Sequence, residues 1–456
     1  MIALPLAIIW FGAIILAALD GTRKPAGYLA VGVLAAALIS SLVLGVDVYR
    51  NGSREMLIGG WEPGIGIALR VDIVGIIFTC LSLLVLLTAL WFEVSRDVKA
   101  RIFPSLVLFM GLGLTGLFFT GDAFNFYVFF EIAMVSAYVM ASYGETPRQF
   151  RAALIFIVVN LLGSVLFLIG IAAIYHTTGW LDMVMIQTQM PLLAENPAIL
   201  SATIIFVAFS IKLGLFPFHF WLPAVYTGTR PAVAAILSGA LANIGSYGLL
   251  RFGADIFPRE LHAGAPVLLF LGAISIIYGG IQAIGRHTPQ EVLAYSAIGQ
   301  VGYILIALAI GGEAGYAAAI LYAVLNSLNK VLLFLAASLR GWIAGAAFAV
   351  GAFSVAGVPP AGGFFGKMAM FQAGVENHRP WIVALIFAGG ALSFVYMFQL
   401  YRNRFWVNQA PDEATTVGAL SLVGLLAIGL IGIGLWPEPL LALVQQATDV
   451  LPERGP

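Results

Sequence analysis

The sequence predicts an all-α polytopic membrane protein. Two observations support that fold class: the apolar composition and the recurrence of long apolar segments. Of its 456 residues, 61% are hydrophobic and 10% are charged, and the mean hydropathy is +1.00. Soluble domains carry about 25% charged residues. Apolar segments of about 20 residues, the length that crosses a bilayer, recur along the whole chain. We therefore expect a single transmembrane domain over 1–456 and no soluble domain.

The apolar segments predict about fourteen membrane-spanning helices. The predicted spans are 2–19, 27–48, 71–93, 102–120, 122–143, 151–175, 199–222, 230–251, 264–285, 290–311, 314–339, 344–375, 381–401 and 415–436. Glycine and proline interrupt the seventh span at 214–217 and the twelfth at 357–363, which predicts two broken helices. The mixed stretch 181–198 is expected to lie along the membrane interface.

The distribution of lysine and arginine predicts the orientation of the chain. Twelve of these residues lie in odd-numbered loops and six lie in even-numbered loops. Because cytoplasmic loops are enriched in positive charge, odd loops are expected in the cytoplasm and both termini on the outer side.

Several classes of chemistry are excluded by composition. The net charge is zero, so nothing indicates a nucleic-acid partner. The single Cys80 and five scattered histidines offer no disulfide framework and no metal-ligating cluster. No nucleophile–histidine pair or paired aspartates suggest a catalytic site. We expect no catalytic residue, metal or cofactor in this chain.

Four ionisable residues, Glu131, Lys212, Lys330 and Lys367, interrupt apolar spans near mid-depth. At a helical rise of about 1.5 Å per residue they lie about 13 to 20 Å into the membrane. Ionisable groups at that depth are costly, which predicts an ion path or proton relay. Burial favours the neutral forms of lysine and glutamate, whereas ion pairing favours their charged forms. A Glu–Lys pair that opens and closes can therefore take up and release a proton. The alternatives are a permanent ion pair that locks helices together and, for Lys330, a cap on the backbone carbonyls of a broken helix.

Further polar residues in the spans are candidates for relaying protons or holding water. These candidates are His219, Asn243, Gln300, Tyr303 and Asn326. A row of amides and hydroxyls beside the lysines predicts a hydrated path. The alternative is helix–helix hydrogen bonding, worth about 0.6 kcal/mol per bond in membrane bundles.

Two aspartates begin spans and are candidates for the mouths of the path. Asp72 opens the third span and Asp122 opens the fifth. Helix capping explains both positions equally well, because aspartate is a favoured N-cap residue.

Five segments resemble the antiporter-like subunits shared by respiratory complex I, membrane-bound hydrogenases and Mrp-type multisubunit cation/proton antiporters. They occur in the family's order, at 114–132, 211–239, 293–305, 328–337 and 353–371. The phrase TGDAFNFYVFFE and Gln300 favour the Mrp D-type subunit or the complex I N-type subunit.

The resemblance implies a fourteen-helix fold built around two inverted five-helix repeats, with helices 7 and 12 broken. It implies N-terminal helices 1–3 over 1–101, the first repeat (helices 4–8) over 102–253 and the second (helices 9–13) over 264–402. Helix 14 and the tail then occupy 415–456.

The resemblance also implies roles for the four ionisable residues. Glu131 and Lys212 match the family's Glu–Lys pair, and Lys330 matches the lysine of the eleventh helix. Lys367 matches the charge of the broken twelfth helix, which links the path to the far side or to the next subunit.

The chain departs from the family pattern at two residues and in the connection from Arg340 to Phe353, which is shorter than usual. Asn243 stands where the family has a lysine in the eighth helix, and Asn326 stands where it often has a histidine. An amide holds a water but does not carry the proton itself. The path therefore depends on water between Lys212 and Lys330, or the chain conducts poorly.

Three functions remain open at this stage. The first is proton translocation, with Na⁺ as a possible counter-ion, in a Mrp-type antiporter with other membrane subunits as partners. The second is a redox-driven proton pump in an NADH:quinone oxidoreductase or hydrogenase, whose catalysis lies in other chains. The third is a non-conducting scaffold. In each case we expect a lipid environment, namely a bacterial plasma membrane.

Overall fold

The structure is a computed structural model that describes residues 1–61, 64, 66–143, 146–192, 195–407 and 416–451. Helices dominate the described chain. In chain order they are Ala3–Ala18 (α1), Lys24–Asn51 (α2), Ile73–Arg96 (α3), Phe103–Phe119 (α4), Ala123–Ala141 (α5), Pro147–Thr178 (α6), Met183–Gln189 (α7), Glu195–Leu213 (α8), Trp221–Gly228 (α9), Pro231–Ile256 (α10), Pro258–Ile284 (α11), Pro289–Ile310 (α12), Gly312–Ala337 (α13), Trp342–Ala356 (α14), Gly363–Glu376 (α15), Pro380–Tyr401 (α16), Val417–Leu435 (α17) and Glu438–Asp449 (α18).

The polytopic α-helical class is confirmed. Within the described residues, eleven helical segments are long and apolar enough to cross a membrane. Three further apolar helices, α1, α4 and α14, are shorter and lie where the first, fourth and twelfth spans were predicted. The count of fourteen spans therefore stays a prediction.

Both predicted helix breaks are present and begin in the same way. Helix α8 ends before Gly214, which has φ of +65°, and α14 ends before Gly357, which has φ of +80°. At each glycine the backbone N–H bonds the carbonyl three residues back, and the next N–H bonds the carbonyl five residues back. This is the Schellman helix ending, which requires a left-handed residue and so favours glycine. The helices resume at Trp221 and Gly363.

The helices divide into an interior group and an outer group. Most residues of helices α3, α10, α12 and α13 are buried, whereas only about a third of the residues that span the membrane in α2, α16 and α17 are buried. A helix that is apolar all round belongs in the centre of a membrane bundle or against lipid. Lys330 lies in the interior group, on α13, with 0% of its surface exposed.

The predicted unit boundaries stay predictions, although each predicted repeat contains one broken helix. The break after α8 lies in 102–253 and the break after α14 lies in 264–402. Of the predicted C-terminal unit 415–456, residues 415 and 452–456 lie outside the described part of the chain.

The sequence did not predict two of the elements. A hairpin of Arg54–Leu57 (β1) and Ala68–Val71 (β2) forms in the connection 49–70, with Arg54 opposite Val71. The amphipathic helix α18 follows α17 and buries Val444 and Ala447. Both are short and lie outside the long apolar segments on which the prediction depended.

Candidate functional site

The amine of Lys212 lies at the end of α8 and is held by the neighbouring helix α6. Its Nζ donates to the carbonyl of Asn160 at 2.7 Å and to Oγ of Ser164 at 3.0 Å. It also lies 4.3 Å from the ring centroid of Phe130 on α5. A charged amine is therefore stabilised by neutral oxygens and an aromatic face.

Glu131 lies beside this lysine without forming an ion pair. It follows Phe130 on α5 and is close enough to act electrostatically on Lys212. In the described residues no carboxylate lies within 4.0 Å of the Lys212 amine, and Oε1 of Glu131 is buried without a hydrogen-bond partner. The permanent ion pair considered above is not formed in this structure. A buried acceptor of this kind is typical of a position that binds water or takes up a proton.

Lys330 contacts the neighbouring helix α12. Its Nζ donates to Oγ of Ser296 at 2.9 Å and to the carbonyl of Leu293 at 3.4 Å. Among the described side chains no carboxylate lies within 4.0 Å of this amine either. Leu293 lies within the continuous helix α12, so this contact is not the cap on a broken helix that the sequence left open as an alternative.

A cluster of buried hydroxyls and amides continues from Ser296. The Tyr396 hydroxyl lies 3.0 Å from Oγ of Ser296 and 3.1 Å from Oγ of Ser393. Gln300 donates to the Tyr396 hydroxyl at 3.4 Å through Nε2, and its Oε1 accepts from the Tyr322 hydroxyl. The predicted candidate Gln300 is therefore bonded to two tyrosines.

Lys367 lies on α15, just beyond the second break. Its Nζ donates to the carbonyl of Ala356, the last residue of α14, at 2.9 Å. A cation is favoured at a helix C-terminus because the last carbonyls lack partners and carry partial negative charge. The amine is also 5.3 Å from the ring centroid of Tyr303, another predicted candidate. It borders a largely apolar cavity of about 690 Å³.

The two asparagines predicted to hold water have different surroundings. Asn243 donates to Ser82 at 3.1 Å and accepts from Ser327 at 2.8 Å, so it joins α10 to α3 and α13. Asn326 and Asn329 each have a buried side-chain oxygen without a partner in the described chain. Buried oxygens of this kind are commonly satisfied by ordered water. The hydrated path between Lys212 and Lys330 stays a prediction.

His219 contacts Tyr278 of α11. Its Nε2 lies 3.0 Å from the Tyr278 hydroxyl, and its ring stacks on Phe216 with centroids 5.4 Å apart. The hydrogen-bond partners of Lys212 lie on α6, so the structure does not bring His219 to that amine.

Asp72 caps α3 and also joins a buried charge cluster. Its Oδ1 accepts from the Gly75 N–H at 2.8 Å, and its Oδ2 accepts from Arg251. Arg251 also bonds Asp255 at 2.9 Å and the Tyr247 hydroxyl at 2.9 Å. A cavity of about 130 Å³ lies against this cluster. The aspartate is therefore both a helix cap and part of a polar recess.

Asp122 is the N-cap of α5. Its Oδ1 accepts from the Asn125 N–H at 2.6 Å. The Asn125 side chain in turn donates to Oγ1 of Thr120 at 3.0 Å, which closes the turn before the helix. The backbone of Asp122 pairs with that of Asp182, just before α7. Capping accounts for the contacts of Asp122.

Two groups of polar residues escaped the sequence analysis. Ser393 and Tyr396 lie three apart, a spacing that places both on one helix face and was an available signal. Arg251 is the last residue of the predicted eighth span and was counted with the loop that follows, but α10 continues past it as a π-helical segment, Leu249–Ile256. Its partner Asp255 was missed for the same reason.

The fold and the site together define an α-helical membrane protein whose interior holds ionisable groups among neutral polar partners. Such groups mark ion or proton pathways in membrane proteins. Residues 120–393, which include Glu131 and the three lysines, match the family described as NADH:quinone oxidoreductase/Mrp antiporter, transmembrane. The chain belongs to this family.

Individual relatives agree with that assignment. The chain is 32% identical over 454 residues to the D-type subunit of the Na(+)/H(+) antiporter of Alkalihalophilus pseudofirmus, covering 94% of this chain and 91% of that protein. It is similar in structure to a chain of the Mrp complex from a Dietzia species, with a TM-score of 0.92, 24% identity and coverage of 99% and 97%. It is also similar in structure to a chain of respiratory complex I from Thermus thermophilus, with a TM-score of 0.86 and 22% identity. That match covers 99% of this chain and 100% of the other. These structural matches show the fold.

Proposed function

We propose that this chain is the proton-translocating, D-type membrane subunit of a Mrp-type multisubunit Na⁺/H⁺ antiporter. The observation that carries the proposal is the environment of Lys212 and Lys330. Both amines are buried and bonded to neutral oxygens, and no described carboxylate lies within 4.0 Å. Such an amine can release and regain a proton without first breaking an ion pair, which suits it to a proton relay.

The relative named as a Na(+)/H(+) antiporter component supports exchange for Na⁺ over redox-driven pumping. Its similarity extends over nearly the whole of both chains, whereas the complex I likeness lies at 22% identity and concerns the fold. By the same argument the partners are other membrane subunits of one complex, within the lipid of a bacterial plasma membrane. The loop charges support a cytoplasmic location for odd loops and an outer location for both termini.

The proposed path crosses the membrane interior from one broken helix to the other. Protons are exchanged between Glu131 and Lys212, pass through water near Asn326 to Lys330 and continue to Lys367. The unpartnered oxygens of Glu131, beside Lys212, and of Asn326, four residues before Lys330, support sites for water near both lysines. Asn243 is bonded to serines of α3 and α13, so its proposed role is to hold α10 against these helices.

The mouths and the repeats complete the proposal. The recess at Asp72, with Arg251 and its cavity, is the stronger candidate for a mouth. Asp122 is the weaker candidate because capping accounts for its contacts.

Residues 102–253 and 264–402 are proposed as the two inverted repeats, supported by their matched helix endings at Gly214 and Gly357.

Replacing Lys212 with alanine is expected to abolish Na⁺-dependent proton flux in an intact complex, a loss of at least about 100-fold. The reason is that the variant removes the amine next to Glu131. Flux is measured with a pH-sensitive dye in vesicles that contain the complex. The matched control is Lys99→Ala, because Lys99 is exposed and lies in a connection. Unchanged flux in Lys212→Ala, at equal abundance, would favour the non-conducting scaffold.

A further inference from the structure

The hydroxyl cluster beyond Lys330 is buried and lies outside the four predicted relay groups. Ser296, Gln300, Ser393 and Tyr396 are all at most 3% exposed. They come from α12 and α16, and the Tyr396 hydroxyl bonds the other three. Buried polar clusters are costly unless they are fully bonded, so their presence in an apolar bundle calls for a role.

The cluster extends from Lys330 toward Lys367 along one face of α16. Tyr396 is linked to Lys330 through Ser296, at 3.0 Å and 2.9 Å. Ser393 lies one turn before Tyr396, and Gly390 lies three residues before Ser393. A Cβ at Gly390 would lie 3.4 Å from Nζ of Lys367. One helix face therefore passes close to both amines.

The chemistry of these groups assigns them different tasks. A hydroxyl donates one hydrogen bond and accepts others, so it can take up a proton on one side and release its own on the other. The amide of Gln300 does not carry a proton in this way. Because it bonds both Tyr396 and Tyr322, its task is to fix the tyrosine hydroxyls in position.

We propose that Ser296, Tyr396 and Ser393 form the proton connection between Lys330 and Lys367, with the Tyr396 hydroxyl as its central link. This inference rests on the proposed transport function. The Lys330 ammonium gives a proton to Ser296, which passes its own to Tyr396, which passes its own to Ser393. Ser393 turns its O–H away from the Gly389 carbonyl and releases its proton to a water, which protonates Lys367 when that side chain is a neutral amine. Each hydroxyl ends neutral with its O–H turned, and rotation of the hydroxyls resets the chain.

Tyr396→Phe tests the connection, because it keeps the ring and removes the hydroxyl. We expect Na⁺-dependent proton flux in vesicles that contain the complex to fall at least about tenfold at equal abundance. The control is Tyr401→Phe on the same helix, where the half-buried ring packs against Phe405, and its flux should match the wild type. Combining Tyr396→Phe with Lys330→Met should give no more loss than Lys330→Met alone.

The outcomes separate this inference from the proposed function. If Lys330→Met loses flux while Tyr396→Phe stays within twofold of the wild type, the connection is overturned and the transport function stands. If both variants keep flux, Lys330 is not on the path and this inference fails with it, whereas the transport function is tested separately by Lys212→Ala. Should Tyr396→Phe not accumulate, Ser393→Ala is the second variant. Its flux should also fall about tenfold, and wild-type flux there would overturn the inference.

Discussion

Replacing Lys330 with methionine is expected to abolish proton flux while leaving the folded chain at least as stable as the wild type. Lys330 is 0% exposed and has no described carboxylate within 4.0 Å. Methionine has a similar length and no charge, so the substitution removes the cost of burying an amine without leaving a buried partner charge. Flux should fall at least about 100-fold because the relay loses the only charged side chain on α13 beyond its first turn.

Two measurements on the same preparation check this result. Na⁺-dependent proton flux is measured in vesicles, and the unfolding temperature is measured in detergent. Lys99→Met is the control, because it replaces an exposed lysine in a connection and shows the effect of losing a lysine outside the proposed path. Flux near the wild-type level would remove Lys330 from the path. A marked fall in unfolding temperature would mean that its bonds to Ser296 and Leu293 hold the helices together.

Replacing Arg251 with methionine is expected to destabilise the folded chain by about 3 to 5 kcal/mol, the usual cost of breaking a buried charge pair from one side. Arg251 bonds Asp72, Asp255 and Tyr247, and its side chain is 12% exposed. Removing it leaves two carboxylates close together without a cation. The change should appear as a lower unfolding temperature and less chain in the membrane.

A partner substitution and a surface control make this prediction specific. Adding Asp255→Asn to Arg251→Met should recover part of the lost stability, because one of the two unpaired charges is then absent. Arg259→Met removes an arginine that bonds only a surface carbonyl, that of Pro191, among its described contacts, and should have little effect. Equal unfolding temperatures for Arg251→Met and the wild type would mean that the cluster adds no stability.

The sequence predicted the fold well because the main signals are local. The length of the apolar segments marks the spans. Gly214 and Gly357 mark the breaks, because a helix that ends with a left-handed residue favours glycine at that position. Arg251 shows the limit of such signals. It was counted with the loop after the eighth span, but α10 continues past it and holds it, largely buried, beside Asp72, a partner 179 positions earlier in the chain.

The candidate site was predicted only in part. Depth within a span was enough to select Glu131 and the three lysines. It did not reveal their partners, because these lie on helices that are distant in sequence. Tyr396 bonds Ser296 across 100 positions, and the Lys212 amine bonds Asn160 across 52. Only the packing of α16 on α12, and of α8 on α6, brings these groups together.

Composition of the intact complex tests the central claim most directly. The chain is purified in mild detergent, and mass spectrometry identifies the proteins that co-purify. We expect small hydrophobic membrane subunits, without flavin- or iron–sulfur-bearing proteins, as in a Na⁺/H⁺ antiporter. Stoichiometric flavin- or iron–sulfur-bearing partners would contradict the proposed function and would assign this chain to a redox-driven proton pump.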